Sequence, residues 1–316
     1  MRLRVSYLRC LGAALAVVLL SPCVCESQEL ARGIHVTEEN DYFDFWLPPD
    51  RRPDDNYTQG LRIGWESKHT LPLWRRLLCR DTQACGSTFE VGQEMYTPTT
   101  EHGVRPFAGW LYARAGEVVA TDHSRRVLSV TVGLTGPPSL AGQTQEAFHS
   151  LVPGFRHPTG WERQLPTEID GAINVQQTWR LSPSPSARRV IDLLPWAGGA
   201  VGTLRTSLAV GAKTRVGVGL THPWLVDPRA RKWEAYLSAG GSIEAVGRDL
   251  FLDGSTFRRS AHTEREALVV SRELGVAARY DRITLEYRAV TQGKDYLAGP
   301  STHPFGIIGV TWWDTR

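Results

Sequence analysis

Apolar and polar residues alternate along most of this chain, in segments separated by polar turns rich in Gly and Pro. Alternation with a period of two is typical of β-strands, because successive side chains point to opposite faces. In residues 208–220, LAVGAKTRVGVGL, apolar residues alternate with Gly, Lys, Thr and Arg. The pattern predicts about 12 strands, at residues 33–36, 57–66, 88–96, 107–120, 126–134, 172–181, 190–201, 208–220, 233–246, 267–278, 282–290 and 305–313.

The number and even spacing of these segments favour a membrane barrel. Outer-membrane barrels alternate apolar-out and polar-in, and an even number of strands closes without exposed edges. Aromatic residues also cluster at predicted strand ends, as in the girdles of such barrels. The sequence therefore predicts an all-β fold, a 12-stranded antiparallel transmembrane β-barrel in a bacterial outer membrane. A soluble β-sandwich or a lipocalin-like barrel would show the same alternation and stays the alternative.

The N-terminus has the layout of a secretory signal. Residues 1–10 carry three arginines and no acid, and residues 11–20 form an unbroken run of small and apolar residues. We expect residues 1–25 to be a signal peptide and residues 26–316 to form one barrel domain. A lipoprotein signal is the alternative, because Cys23 and Cys25 follow the apolar run, although Pro22 fits that poorly.

Cleavage near Cys25 would leave Cys79 and Cys85 as the cysteines of the mature chain. In an oxidising compartment, two cysteines this close predict a small disulfide staple. A metal pair is the functional alternative, but no nearby His or third Cys supports it. The formal net charge of +3 and the lack of a basic cluster give no indication of nucleic-acid binding.

One short segment breaks the β pattern and carries candidate chemistry. Residues 136–161 place Gln145 and His149 four residues apart, which puts both side chains on one face if the segment is helical. Ser139 is a suitable residue for the start of that helix. An imidazole can act as a base near neutral pH, and an amide can orient water or substrate. The alternative is that His149 has only a structural role.

Three further polar sites are less specific. Asn40 and Asp41 follow the first predicted strand and offer oxygens that suit calcium, although a solvated acidic turn would look the same. Thr58 begins the second long strand and is ordinary there. Arg105 could pair with phosphate or be a rim charge. The chain has no G-x-S-x-G and no H-E-x-x-H motif, so neither a standard serine hydrolase nor a zincin is indicated.

Taken together, these motifs resemble the bacterial outer-membrane lipid A 3′-O-deacylase family. The matching segments occur in order along nearly the whole mature chain: ENDYF at 39–43, YTQGLR at 57–62, GQEMYTP at 92–98, RPFAGWLY at 105–112, GP at 136–137, Gln145, His149, GW at 160–161, Gln164 and LDG at 252–254.

The resemblance implies a carboxylic ester hydrolase that removes acyl chains from the 3′ position of lipid A with calcium (Ca2+). It implies that His149 is the general base, that Asn40 and Asp41 bind or adjoin the metal, and that Thr58 and Gln145 position metal, water or substrate. The family uses a lysine for which this sequence has no clear match, and Arg105 is our expected substitute for binding the anionic lipid.

The implied partners are lipid A, or lipopolysaccharide, and the outer membrane, and we expect a monomer. Two other functions remain open on sequence grounds. One is a non-catalytic barrel, such as a porin or a structural protein. The other is a calcium-dependent acyl hydrolase that acts on phospholipid.

Overall fold

A computed structural model describes residues 29–45, 56–70, 77–80, 83–98, 105–151, 159–181, 190–226 and 232–314. The expected signal peptide lies outside these residues and stays a prediction. Within them the chain forms a closed barrel of consecutive strands. The strands are β1 (Arg32–Asn40), β2 (Asn56–Ser67), β3 (Ala84–Thr97), β4 (Ala108–Ala120), β5 (Ser124–Thr135), β6 (Ile169–Trp179), β7 (Ile191–Gly202), β8 (Arg205–Val218), β9 (Trp233–Asp249), β10 (Leu268–Tyr280), β11 (Ile283–Gly293) and β12 (Thr302–Asp314).

Every strand pairs antiparallel with its neighbours in the chain, and β1 closes the barrel on β12. The closing register runs from Arg32 opposite Asp314 to Asn40 opposite Gly306. The predicted 12-stranded antiparallel barrel is therefore confirmed, and each predicted segment overlaps one strand. Strand β1 continues to Asn40, beyond its predicted end at residue 36. We call the end of the barrel with the N-terminus of β1 the lower end, and the opposite end the upper end.

The outer face of the barrel is apolar. On β5, Val130 and Val132 are 50% and 52% exposed, whereas Thr131 between them is buried at 1%. Exposed aromatic side chains surround the lower end, near the strand termini: Trp65, Trp179, Trp233, Tyr280 and Trp312. A lipid-facing apolar band bounded by aromatic residues is the surface of a membrane barrel. No helix within the described ranges is long and apolar enough to cross a membrane.

The lumen is filled by paired charges. Arg62 contacts Glu39 at 2.9 Å and Glu94 at 3.0 Å, and Lys213 contacts Glu273 at 3.2 Å. Buried charges require such partners, because an isolated charge loses its hydration without compensation. These pairs join neighbouring strands, β1 to β3 through Arg62 and β8 to β10 through Lys213.

Apolar side chains pack at both ends of the lumen. At the lower end Leu30 pairs with Leu225, and Trp224 donates its indole N–H to the carbonyl of Thr121 at 2.8 Å. Leu30, Trp224 and Leu225 pack with inward residues of β3, β4 and β7. At the upper end a short helix (Leu250–Asp253) brings Phe251 onto the ring of Tyr96 with centroids 4.5 Å apart.

Helix α1 (Ala141–Leu151) lies between β5 and β6, and helix α2 (Leu250–Asp253) lies between β9 and β10. Cys79 and Cys85 form a disulfide with a Cα–Cα distance of 6.3 Å, in the connection from β2 to β3 at the lower end. The predicted staple is confirmed, and the alternative of a metal pair is wrong.

Candidate functional site on the outer wall

The helix α1 begins where the sequence places a serine and two prolines. A 3₁₀ turn, Pro137–Ser139, precedes it, and Leu140 follows in the left-handed region with φ of 59°. The hydroxyl of Ser139 donates to the carbonyl of Gly136 at 2.6 Å and accepts from the amide of Ala141 at 3.4 Å. The serine thus satisfies one amide of the first helical turn, where N–H groups have no partner within the helix.

One face of α1 is buried and carries both candidate residues. Ala141, Gln145 and His149 lie at intervals of four residues and are 1%, 3% and 6% exposed. Residues of the opposite face, such as Glu146 and Ser150, are exposed. The expected shared face of Gln145 and His149 is confirmed, while their catalytic roles stay predictions.

The buried face of α1 lies against the outside of the barrel. Trp110 points into the lumen, where its indole donates to Asp170 at 2.9 Å, so its neighbours Gly109 and Leu111 point outward. A Cβ atom added to Gly109 would overlap the Ser139 hydroxyl and the Cβ of Ala141. This glycine therefore permits the close approach of the helix to the wall.

Strand β3 supports the helix beside β4. The side chain of Gln93 donates to the carbonyl of Ser139 at 2.6 Å. Met95 is only 1% exposed although it lies opposite Gly109 on the outward face. An apolar residue at an outward position would otherwise face lipid, so its burial marks the area that α1 and its flanking segments cover.

The first two strands bring Asn40 and Thr58 to this same face. Glu39 points into the lumen toward Arg62, so Asn40 points outward. In register, Asn40 lies opposite Gln59. This row of outward positions continues across β3 and β4 through the pairs Gln59–Met95 and Met95–Gly109.

The dimensions of the helix match this row. Since adjacent strands are about 4.8 Å apart, β1 and β2 lie roughly 10 to 14 Å from β4. His149 lies about 12 Å along the helix axis from Ala141, at 1.5 Å per residue. The helix, which packs on β4 and β3, is therefore long enough to span the distance from β4 to β1, whose end carries Asn40.

Asn40 and Asp41 form the transition from β1 to a 3₁₀ turn, Asp41–Phe43. The side-chain oxygen of Asn40 accepts the amide of Tyr42 at 2.8 Å, which is the N-cap arrangement that this residue type favours. Asp41 is 1% exposed. This cap fixes the two residues relative to the end of β1.

Thr58 lies in a bulge of β2. The register with β3 shifts between Tyr57 and Gln59, and the extra residue is Thr58. Its hydroxyl shares a hydrogen bond with that of Thr97 at 2.8 Å, and both side chains are buried. Bulges re-aim side chains and are frequent beside active sites.

A second segment of the β5–β6 connection fixes Gln145. Trp161 donates its indole N–H to Oε1 of Gln145 at 2.7 Å and stacks near Phe107, with ring centroids 5.2 Å apart. Sequence reasoning noted Trp161 beside the candidate pair but assigned it no role. It missed Thr97, Gln93 and Gly109 as supports, although all three lie in or beside the quoted motifs.

Arg105 lies on the lumen side of the wall. Its guanidinium contacts Asp295 at 3.1 Å and lies 4.5 Å from the ring centre of Tyr96. With Glu39 and Asp249 it lines a polar cavity of about 220 Å³ inside the barrel. No contact among the described residues joins Arg105 to the outer-wall group, and its expected role in substrate binding stays a prediction.

Comparison with known proteins identifies the family of this chain. The sequence matches the family described as Outer membrane protein LpxR over residues 11–313. The chain belongs to this family. The family expected from the motifs and the location in the outer membrane are thereby confirmed.

The fold is similar to that of LpxR from Salmonella typhimurium, with a TM-score of 0.71, 16% identity, and coverage of 89% of this chain and 99% of that chain. Weaker likenesses link it to the translocator domain of the autotransporter NalP from Neisseria meningitidis (TM-score 0.37, 11% identity, 97% and 95% covered) and the beta domain of the Bordetella autotransporter BrkA (0.41, 11%, 91% and 99%). No curated protein matches the chain in sequence.

The donor atoms of this LpxR-family chain bear on the expected calcium. Within the described ranges, no group of three or more His, Cys, Asp and Glu residues is arranged to hold a metal ion. A cation at the outer wall would therefore need amide or hydroxyl oxygens in addition to a carboxylate. Asn40 and Asp41 supply an amide and a carboxylate oxygen, and Thr58 and Gln145 carry a hydroxyl and an amide at the upper end of the barrel. An all-oxygen set fits calcium rather than a transition metal.

Proposed function

We propose that this protein is an outer-membrane hydrolase that removes ester-linked 3′ acyl chains from lipid A. The observation that carries the proposal is the burial of Gln145 and His149 on the face of α1 that lies against the outer wall. Together with family membership, this supports a site that lipid reaches from the membrane rather than through the lumen.

The position of the site along the barrel supports lipid A as the substrate. The upper end carries the longest connection of the barrel, residues 136–168 between β5 and β6. Outer-membrane barrels have longer loops outside and shorter turns on the periplasmic side. The site then lies at the level of the outer leaflet, where lipid A resides. Its acyl chains could stay in the membrane while an ester reached the wall.

The side chains support hydrolysis by activated water. Water must lose a proton as it attacks an ester carbonyl, and His149 in its neutral form can accept that proton. The hydrogen bond from the indole N–H of Trp161 to Oε1 holds the amide of Gln145 in one orientation, from which it would position water or substrate. This mechanism needs no covalent nucleophile.

Asn40 and Asp41 would hold the calcium ion, and Thr58 on the neighbouring strand offers a hydroxyl oxygen. When bound, calcium supplies positive charge that stabilises the oxyanion of the tetrahedral intermediate. The 3₁₀ turn and its cap hold Asn40 and Asp41 in place before substrate arrives. Such preorganisation avoids a cost of reorganisation during the reaction.

The test is expression of the full chain in the outer membrane of a host whose lipid A carries its 3′ acyl chains, followed by mass spectrometry of lipid A. We expect a mass loss equal to the 3′ acyl group, and no loss with His149→Ala. His123→Ala is the matched control, because that side chain is 82% exposed at the lower end. Unchanged lipid A with a folded wild-type barrel would overturn the proposal. Release of lysophospholipid with intact lipid A would instead identify a phospholipid hydrolase.

A further inference from the structure

A carboxylate lies on the lipid-facing wall of the barrel, directly below Asn40. Because Glu39 points into the lumen, the outward positions of β1 are Ile34, Val36, Glu38 and Asn40. Ile34 and Val36 are 50% and 39% exposed, as expected of residues that face lipid. Glu38 is half-buried. It therefore stands between the apolar part of this strand and the end that carries the candidate metal ligand.

The neighbours of Glu38 on both sides are apolar and face lipid. In register, Glu38 lies between Leu61 of β2 and Ile308 of β12, which are 39% and 37% exposed. Within the described residues, Glu38 forms no salt bridge with a basic side chain. An ionisable group on the lipid face of a barrel costs free energy, and such groups usually have a function. The position therefore calls for a polar partner that reaches it from the membrane.

The polar neighbour of Glu38 within the wall is Gln59. Gln59 lies opposite Asn40 on the outward face and is only 8% exposed. Its amide interacts with the carboxylate of Glu38. A carboxylate has two oxygens and about four acceptor sites, so this contact leaves Glu38 able to accept further hydrogen bonds. Gln59 thus holds the carboxylate without using up its capacity.

Two segments cover the outer wall on either side of β1 and β2. On one side Phe43 lies over β12, because a Cβ atom added to Gly306 would overlap the backbone of Phe43. The hydroxyl of Tyr287 on β11 donates to the carbonyl of Phe43 at 2.9 Å and fixes this segment. On the other side α1 covers β3 and β4. A lipid bound at Asn40 would therefore extend toward the membrane core along β1 and β2, past Glu38.

The depth of Glu38 indicates which part of the lipid it meets. Two residues along a strand advance by about 7 Å, so Glu38 lies on the membrane side of an ester held at Asn40. A carboxylate only accepts hydrogen bonds, so the lipid must supply a donor there. An ammonium group attached to a phosphate would lie above the ester, among the headgroups. A hydroxyl on the third carbon of the acyl chain is only three bonds of about 1.5 Å from the ester carbonyl carbon, on the membrane side.

We propose that Glu38 makes the site specific for acyl chains that carry a free hydroxyl on the third carbon. The hydroxyl donates a hydrogen bond to the carboxylate, which Gln59 holds in place. A chain that lacks the hydroxyl, or whose hydroxyl is itself acylated, leaves Glu38 without this partner beside lipid. The inference rests on the proposed function, which places the ester at Asn40.

Binding is tested by native mass spectrometry of the full-length His149→Ala barrel, titrated with two synthetic lipid A analogues that differ only in the hydroxyl of the 3′ chain. We expect the hydroxylated lipid to bind at least tenfold more tightly, the effect of about one charge-assisted hydrogen bond. Adding Glu38→Val should abolish the preference, and Glu38→Gln should retain part of it, because the amide oxygen still accepts. Glu162→Val is the control, since that side chain is 72% exposed in the β5–β6 connection. Equal binding of the two lipids without a change at Glu38 would overturn the proposal.

Hydrolysis of the same two lipids separates this inference from the proposed function. In the barrel with His149 intact, kcat/KM should favour the hydroxylated chain at least tenfold, and Glu38→Val should remove that difference. Heat-modifiable migration in gels checks that each barrel is folded. Hydrolysis of both lipids with equal kcat/KM would refute recognition by Glu38 and leave the hydrolase standing. A binding preference that depends on Glu38, with neither lipid hydrolysed, would support the recognition and refute the hydrolase.

Discussion

The indole of Trp161 donates a hydrogen bond to Oε1 of Gln145 at 2.7 Å, and this contact fixes the orientation of an amide on the buried face of α1. Trp161→Phe keeps an aromatic ring beside Phe107 but removes the donor. We expect lipid A deacylation to fall by roughly tenfold, the loss that one hydrogen bond can produce. Time-resolved mass spectrometry of lipid A in vesicles measures the rate.

Trp179→Phe serves as the matched control, because Trp179 is an exposed girdle residue at the lower end. It should leave the rate unchanged. If Trp161→Phe also has the wild-type rate, the amide of Gln145 does not depend on this contact. The proposed positioning of Gln145 by Trp161 would then be wrong.

A larger side chain at Gly109 should separate α1 from the barrel. The Cβ of Gly109→Val would overlap Ser139 and Ala141, so the helix must move away from the wall while the strands stay paired. We expect at least a hundredfold loss of deacylation with normal barrel assembly, since small displacements of positioned groups cost about that much. Lipid A analysis and heat-modifiable migration report the two effects separately.

Gly241→Ala is the control for that substitution. Gly241 lies in β9, and the nearest atom to an added Cβ is 3.4 Å away, an ordinary contact. This variant should retain both assembly and activity. Full activity of Gly109→Val would show that close packing of α1 on β4 is not required.

Asp41→Asn should change the calcium requirement. The substitution keeps the shape of the side chain but removes its negative charge. Calcium binds more weakly when its ligands carry less negative charge. We expect lower activity at limiting calcium and partial recovery at higher calcium, measured as deacylation over a calcium titration. Asp44→Asn is the control, because Asp44 ends the same 3₁₀ turn. An equal change in its calcium dependence would show that any loss of negative charge in this turn has the same effect. A calcium dependence identical to the wild type would exclude Asp41 from the metal site.

The strands were predictable because alternation with a period of two is a local property of the sequence. The shared face of Gln145 and His149 was predictable for the same reason, from helical spacing alone. That this face meets the outer wall was not predictable, because it depends on Gly109 and on the register of four strands. The position of Arg105 depends on Asp295, 190 residues away, and no local pattern encodes such a pair.

The buried charges at the lower mouth should matter for stability. Asp192 is fully buried and contacts both Arg180, at 2.9 Å, and Arg215. Asp192→Asn leaves two guanidinium groups without their shared carboxylate, which costs about 3–5 kcal/mol in buried pairs. Urea unfolding in detergent, followed by tryptophan fluorescence, gives the change in the free energy of unfolding.

The comparison for that variant is Asp314→Asn. Asp314 contacts Arg32 at 3.3 Å and its side chain is 35% exposed. Exposed pairs contribute at most about 1 kcal/mol. Similar losses in the two variants would contradict the idea that the buried group stabilises the lower mouth specifically.

Aromatic packing inside the lumen predicts that the protein does not conduct ions as a porin does. Trp224 packs with its neighbours at the lower end, and Phe251 packs on Tyr96 at the upper end. We expect planar-bilayer recordings of the wild type to show no porin-like conductance, with a general porin as the positive control. The double variant Trp224→Ala, Phe251→Ala removes aromatic volume from both mouths and should raise the conductance. Stable, porin-sized openings in the wild type would favour a channel and argue against a lumen that serves only to support the outer wall.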